Sequence, residues 1–129
     1  MKLIIAGSRE ITEYELLSKI MVSYMIRKGC LIKEVVSGTA KGIDTLGERW
    51  AQENSIPVKR FPADWNRFGR AAGFKRNEVM GDYADEAVVI ILNHSRGSEH
   101  MAQCMKTLGK RVSVCDVVIK DGKYRCSWR

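Results

Sequence analysis

Small, hydroxyl-bearing and cationic residues are concentrated in three short loops of this 129-residue sequence. The loop residues are Gly7, Ser8 and Arg9; Ser37, Gly38, Thr39, Lys41, Gly42 and Asp44; and Ser95, Arg96, Gly97 and Ser98. Glycines let backbone N–H groups approach an anion closely, hydroxyls add hydrogen bonds, and Lys and Arg add positive charge. Any one loop could equally be a simple turn or a helix cap. The three together predict a site for a phosphate-bearing ligand.

A long connection between the third strand and the third helix, residues 62–73, is the second chemical signal. Connections of this length in a compact domain are usually functional. The connection and the start of the next helix supply Asp64, Trp65, Phe68, Arg76 and Asn77. Either ring could stack on a base, with Asp64 accepting from a ribose or base amino group. Both rings could also fold back as a lid over the core, and the two interpretations are compatible.

Arg76 and Asn77 are predicted at the start of the third helix, near residues 74–83. A cation opposes the helix dipole there, so a nearby anion or carboxylate is expected. Two common nucleotide motifs are absent, G-x-x-x-x-G-K-[ST] and a G-x-G-x-x-G after the first strand. The two histidines and four cysteines show no metal-ligand spacing, so no metal or cofactor is evident, although Mg²⁺ accompanying phosphates would leave little sequence trace.

Strand and helix patterns alternate along the chain and must position these loops. The order predicts a mostly parallel five-stranded sheet with helices on both faces, a three-layer α/β/α fold. Ligands of such sheets bind beyond the carboxyl ends of the strands, where the three loops should converge. Thr12 and Glu15 form a capping-box pattern before the first helix, and the fifth strand is predicted at residues 111–115. Asp121 and Gly122 then predict a C-terminal hairpin.

Length and composition indicate one globular domain, residues 1–129, with a core at 1–115 and a tail at 116–129. The longest apolar run, residues 87–92, is too short for a bilayer span, and the N-terminus lacks a signal-peptide pattern. A cytoplasmic protein with no membrane partner is therefore expected. The net charge of +7 favours anionic partners, or only solubility.

Six motifs, in order, resemble the SLOG superfamily, and within it the YspA-like branch of small bacterial and phage proteins. They occupy residues 4–9, 36–44, 63–65, 69–73, 76–80 and 95–98. The resemblance spans about residues 1–115 and implies a Rossmann-like fold with a pocket for nucleotides or nucleotide-derived signals. It also implies a homodimer or larger homo-oligomer. Relatives include the LOG phosphoribohydrolases, the DNA-processing DprA/Smf proteins and sensor domains that bind NAD-derived signals.

The resemblance equates residues 37–42 with the LOG phosphate loop and Arg76 with a helix-borne arginine of the LOG site. Residues 95–98 stand in place of the motif P-G-G-x-G-T-x-x-E. The final glutamate of that motif corresponds to Met101, three positions past Ser98.

Three other acids are candidates for a catalytic role, namely Asp64, Glu78 and Glu99. Glu99 is one position past Ser98 and therefore points elsewhere on a helix. The favoured function is accordingly binding, by sensing or sequestration, of a phosphorylated nucleotide or nucleotide-derived signal, rather than catalysis. The alternatives are a LOG-like hydrolase of nucleotide N-glycosidic bonds and, less favoured, a DprA-like nucleic-acid binder.

Overall fold

A single six-stranded sheet organises the protein, whose computed structural model describes residues 1–29 and 31–129. The elements are β1 (Lys2–Gly7), α1 (Tyr14–Lys28), β2 (Glu34–Ser37), α2 (Ile43–Glu53), β3 (Val58–Arg60), α3 (Trp65–Phe68), a 3₁₀ helix (Gly69–Ala71), α4 (Ala72–Tyr83), β4 (Glu86–Leu92), α5 (Arg96–Thr107), β5 (Arg111–Lys120) and β6 (Lys123–Trp128). The strand order is β3-β2-β1-β4-β5-β6. Strands β1 to β5 are parallel and β6 is antiparallel. The predicted Rossmann-like α/β fold with a C-terminal hairpin is confirmed.

The central strands β1 and β4 are almost entirely apolar because both faces of the sheet are covered. Helices α1 and α2 pack with one apolar cluster, and α4 and α5 pack with a second cluster on the opposite face. Leu17 and Met21 of α1 are fully buried, as their helical spacing predicts. Ser8 ties the ends of β1 and β4 together, since its hydroxyl accepts from Leu92 N at 2.8 Å.

The capping box predicted at Thr12 and Glu15 is wrong. The residue before the first helical turn is Glu13, its backbone is extended, and its side chain makes no capping hydrogen bond. Ile11, two residues before Glu13, is fully buried and fixes the chain to the core ahead of the helix. The far end of α1 matches the sequence pattern, because Gly29 adopts the left-handed conformation and its N–H donates to Met25 O at 2.9 Å.

The predicted end of the fifth strand at residue 115 is also wrong. Strand β5 continues unbroken to Lys120 and pairs with β4 along one edge and with β6 along the other. The hairpin is therefore formed by β5 itself rather than by a separate pair of strands. Continued pairing, from Cys115 opposite Trp128 to Lys120 opposite Lys123, explains why the strand does not stop.

The connection at residues 62–73 is more structured than predicted. It contains α3 and the 3₁₀ helix, which leads directly into α4 at Ala72. Arg76 and Asn77 consequently lie in the second turn of α4, and their predicted place at a helix start is wrong. Trp65 and Phe68 are 51% and 36% exposed, and neither is among the partly buried residues that pack against the two apolar clusters.

The three cysteines within the described part of the chain are free thiols in different surroundings. Cys115 is buried, Cys104 is half-buried and Cys126 is exposed, whereas Cys30 lies outside the described residues.

Among the helices at residues 1–29 and 31–129, none combines the length and the hydropathy that a membrane span requires.

Candidate functional site

A cavity of about 250 Å³ lies beyond the carboxyl ends of β1 and β4. This is the point at which the strand order reverses, since β2 lies on one side of β1 and β4 on the other. Ligands of open α/β sheets bind at such switch points. The cavity is lined by Ala6, Gly7, Arg9, Glu10, Ala40, Asp44, Trp65, Arg70, Gly73, Phe74, Arg76, Asn77, Met80, Ser95, Gly97, Ser98 and Met101.

The three loops singled out in the sequence converge on this cavity. Gly7 and Arg9 come from the end of β1, and Ser95 comes from the loop after β4. The loop after β2 contributes Ala40, and the first turn of α2, which follows that loop, contributes Asp44. Nine of the residues predicted for the site line the cavity directly: Gly7, Arg9, Asp44, Trp65, Arg76, Asn77, Ser95, Gly97 and Ser98.

One wall of the cavity carries opposite charges, from the buried Asp44 and the half-buried Arg76. Asp44 is 4% exposed, and its Oδ2 accepts from the Ala40 amide at 3.1 Å. Arg76 reaches from α4 and donates from Nη1 to the carbonyl oxygen of Gly38. Burial raises the pKa of Asp44, whereas the Ala40 amide and the charge of Arg76 oppose that rise. Burial lowers the pKa of Arg76, and Asp44 acts against that change.

Asn77 holds the N-terminal part of α5 in place, and the first turn of this helix faces the cavity. Its Nδ2 donates to Gly97 O at 3.2 Å and lies 3.2 Å from His100 Nδ1. The His100 ring stacks on Phe74, with centroids 4.1 Å apart. Burial lowers the pKa of His100, and Glu78 opposes this shift. A neutral His100 with an unprotonated Nδ1 can accept the Asn77 hydrogen bond, and an imidazolium cannot.

Several other predicted residues build the loop after β2 instead of lining the cavity. Ser37 Oγ donates to Glu48 at 2.6 Å and accepts from the Thr39 amide at 3.1 Å. Thr39 has a φ of 63° and Gly42 a φ of 76°, so the backbone turns sharply at both positions. Gly42 packs against the backbone of Ser8.

The remaining predicted residues of these loops lie outside the cavity wall. Ser8 is buried between β1 and β4, and Gly38 contributes its carbonyl to Arg76. Lys41 and Arg96 are exposed, and Arg96 borders a separate groove beside α5.

None of the three acids considered for catalysis is among the cavity-lining residues. Asp64 accepts from the Arg67 amide at 3.1 Å and thereby caps α3. Glu78 is exposed on α4 and borders a separate groove beside α5. Glu99 Oε1 lies 2.8 Å from Nη2 of Arg129. Within the described chain, the acids that do line the cavity are Asp44 and Glu10.

The structure adds cavity residues that sequence reasoning missed. Arg70 and Glu10 add charge, Phe74 adds a second aromatic ring beside Trp65, and Met80 and Met101 add apolar surface. The helical spacing of α5 could have indicated Met101, because it follows Ser98 by three positions on the same helix face. Phe74 and Arg70 carry no comparable signal, since their placement depends on how the segment before α4 folds.

The fold and the site together define a Rossmann-like domain with a polar cavity at its switch point. Residues 1–68, more than half of the chain, match the family model for the YspA, cpYpsA-related SLOG family, and the chain belongs to that family. It is 35% identical over 82 residues to the Gene 61 protein of Mycobacterium phage D29, which aligns 59% of this chain with 63% of that protein. No solved structure matches the chain. Membership of the SLOG family is consistent with a nucleotide-related role.

Proposed function

We propose that this protein binds a phosphorylated nucleotide or a nucleotide-derived compound in the cavity between β1, α4 and α5. The observation that carries this function is the grouping of Arg9, Arg70 and Arg76 around one cavity at the switch point of the sheet. Arginine offers planar, paired donors that suit phosphate oxygens. Asp44 and Glu10 offset part of this charge and provide acceptors for hydroxyl or amino groups.

The first turn of α5 is well suited to bind a phosphate group of the ligand. Ser95, Gly97 and Ser98 line the cavity at the start of this 12-residue helix. Backbone N–H groups in the first turn of a helix lack intrahelical partners, and the dipole places partial positive charge there. Phosphates are commonly bound by this arrangement.

Two aromatic rings of the cavity wall suit a base or a ribose. Trp65 and Phe74 line the cavity, and 51% and 41% of these side chains are exposed. Exposed rings beside a polar pocket offer flat surfaces on which a base can stack. Gly73 lies between them in the chain, and a Cβ there would be 3.6 Å from the Trp65 ring.

The size of the cavity favours a small ligand. Its volume of about 250 Å³ lies just below the range typical for drug-sized compounds, roughly 300–1,000 Å³. A ribose phosphate or a mononucleotide matches this volume better than a dinucleotide, which would extend beyond the rim.

Met101 favours binding over LOG-type cleavage. By resemblance, this position corresponds to the glutamate of the LOG motif, and the Met101 side chain lines the cavity while being only 1% exposed. A thioether cannot donate or accept a proton in glycosidic cleavage. The nearby Glu99 is paired with Arg129 and does not replace it.

The test is retention of compounds from a nucleotide panel, identified by mass spectrometry after release from the purified protein. The panel contains AMP, cyclic and linear nucleotides, NAD and ADP-ribose. The expected result is one compound retained intact by the wild type and lost in Arg76→Gln. Retention of none, or equal retention by Arg76→Gln, would overturn the proposal.

Hydrolysis of an N-glycosidic bond is the second candidate, and Asp44 is the observation that favours it. Asp44 is a buried carboxyl in the cavity wall, and its raised pKa suits an acid that protonates a leaving base. In that reaction water adds to the ribose C1′, the C1′–N bond breaks, and the base leaves with the proton. Free base in the same experiment, absent with Asp44→Asn, would support this candidate.

A further inference from the structure

Glu48 of α2 is hydrogen-bonded to the ends of two strands, at the start of the loop after β2. Its Oε2 accepts from Ser37 Oγ at 2.6 Å, and its Oε1 accepts from Arg60 Nε at 2.8 Å. Ser37 is buried and Glu48 is half-buried. Glu48 does not line the cavity, so any influence on a ligand there must pass through these neighbours.

Glu48 sets the direction of the Ser37 hydroxyl group. A carboxylate only accepts hydrogen bonds, so the hydroxyl donates its single proton to Glu48. The lone pairs of Ser37 Oγ are then left to accept, and the Thr39 amide donates to this oxygen at 3.1 Å. Without the carboxylate, the hydroxyl could turn and donate its proton elsewhere.

The Thr39 amide and the Gly38 carbonyl belong to the same peptide group. This peptide is trans and planar, so its N–H and its C=O point in opposite directions. The N–H faces Ser37, and the carbonyl oxygen on the other side accepts from Nη1 of Arg76. The orientation of this one peptide therefore helps to hold the Arg76 guanidinium at the cavity wall.

The backbone at Thr39 favours the opposite orientation of this peptide. Thr39 has a φ of 63°, which lies in the left-handed region and is strained for a β-branched residue. Turning the peptide over would return Thr39 to negative φ, but its carbonyl would then face Ser37 and its N–H would face the Arg76 cation. Ser37 has no proton to offer that carbonyl while it donates to Glu48.

We propose that Glu48 is a positioning residue for the cavity, which acts on Arg76 through Ser37 and the peptide between Gly38 and Thr39. The two carboxylate oxygens serve two donors, Ser37 Oγ and Arg60 Nε, whereas a glutamine has a single acceptor oxygen. The expected effect on ligand affinity rests on the function proposed above. The expected effect on the peptide does not.

Glu48→Gln tests this role, and Glu53→Gln is its matched control. Both residues lie on α2 and accept from an arginine Nε at 2.8 Å, but Glu48 also accepts from Ser37. Glu48→Gln should bind AMP roughly tenfold more weakly, because small displacements of positioning groups reduce affinity strongly. Glu53→Gln should bind AMP as the wild type does. Isothermal titration calorimetry measures the affinities, thermal melting checks folding, and an unchanged affinity in Glu48→Gln would overturn the proposal.

Thr39→Gly separates positioning from a general loss of packing or charge. Glycine adopts positive φ without strain, so this substitution removes the preference for the opposite peptide orientation. Thr39 does not line the cavity. Adding Thr39→Gly to Glu48→Gln should therefore restore most of the affinity for AMP. A double variant that binds as weakly as Glu48→Gln alone would contradict the peptide mechanism.

The Thr39 amide gives a second measurement that needs no ligand. Hydrogen exchange followed by NMR should be at least about fivefold faster at this amide in Glu48→Gln than in the wild type or Glu53→Gln, because its hydrogen bond to Ser37 is weakened. If the wild type binds no AMP, the proposed function fails for this ligand. Exchange at Thr39 then decides the role of Glu48 by itself, and an unchanged rate in Glu48→Gln overturns it.

Discussion

Asp44 and Arg76 meet at Gly38, where neither leaves room for a side chain. A Cβ on Gly38 would stand 2.8 Å from Asp44 Oδ2 and 2.9 Å from Arg76 Nη1. The loop after β2 and helix α4 are thus joined at this backbone position, and the charged wall of the cavity depends on it. Glycine is required here for space, because Gly38 does not have a positive φ.

Gly38→Ala should weaken ligand binding more than it weakens the fold. The added methyl group must displace the ends of two charged side chains, which can move, whereas no backbone atom is among its nearest neighbours. We expect roughly tenfold weaker binding of AMP or of the retained compound, because small displacements of positioning groups reduce affinity strongly. Isothermal titration calorimetry with a melting curve measures both effects. A large fall in Tm with unchanged affinity would contradict this expectation.

Arg76→Gln should lower the affinity about 10- to 100-fold, as expected when a hydrogen bond to a charged group is lost. The variant removes the guanidinium that faces the cavity and donates to Gly38 O. Titration with the same ligand measures the loss. Arg125→Gln is the matched control, since it removes the same charge from an exposed position on β6. Equal losses in both variants would indicate that only the overall charge matters.

Gly42→Ala should be among the most destabilising small substitutions in the chain. Gly42 has a φ of 76°, and a Cβ there would lie 2.4 Å from the Ser8 carbonyl oxygen. We expect a loss of at least about 2 kcal/mol in the free energy of unfolding. Gly97→Ala is the control, because nothing lies within 4 Å of its Cβ position. Gly97 is in the first turn of α5, where alanine should be neutral or stabilising. Denaturant titration compares the two, and similar losses would contradict the steric account.

Stability should rise with pH just below neutrality because of His100. Burial lowers the pKa of this imidazole from its ordinary value of 6.5. Between the lowered pKa and 6.5 the unfolded chain therefore binds more protons than the native protein, so the free energy of unfolding increases with pH. Protonation would also end the hydrogen bond accepted from Asn77.

The measurement for this pH dependence is urea unfolding at a series of pH values from about 5 to 7, which spans the ordinary titration of histidine. His100→Gln should flatten the rise. His94→Gln replaces an exposed histidine and should retain it. A wild-type profile that is flat over this range would exclude a contribution from His100.

The order of elements and the convergence of three loops could be predicted from the sequence because both follow from local patterns. Apolar spacing gave the buried face of α1, and glycine-rich loops marked the ends of the strands. Helix α3 was missed because it buries nothing, so no apolar periodicity marks it. The role of Asp64 as a helix cap, and the pairing of Glu99 with Arg129, depend on tertiary contacts that residue types alone do not specify.

The two outer strands of the sheet have a consequence for how the protein behaves in concentrated solution. Strand β3 at one edge has only three residues, of which Lys59 and Arg60 are exposed. Strand β6 at the other edge carries exposed Lys123 and Arg125. Edge strands that carry exposed cations are poor templates for pairing with another chain, and a strand as short as β3 is poorer still. The sheet is therefore protected at both margins against edge-to-edge aggregation, despite the apolar strands at its centre.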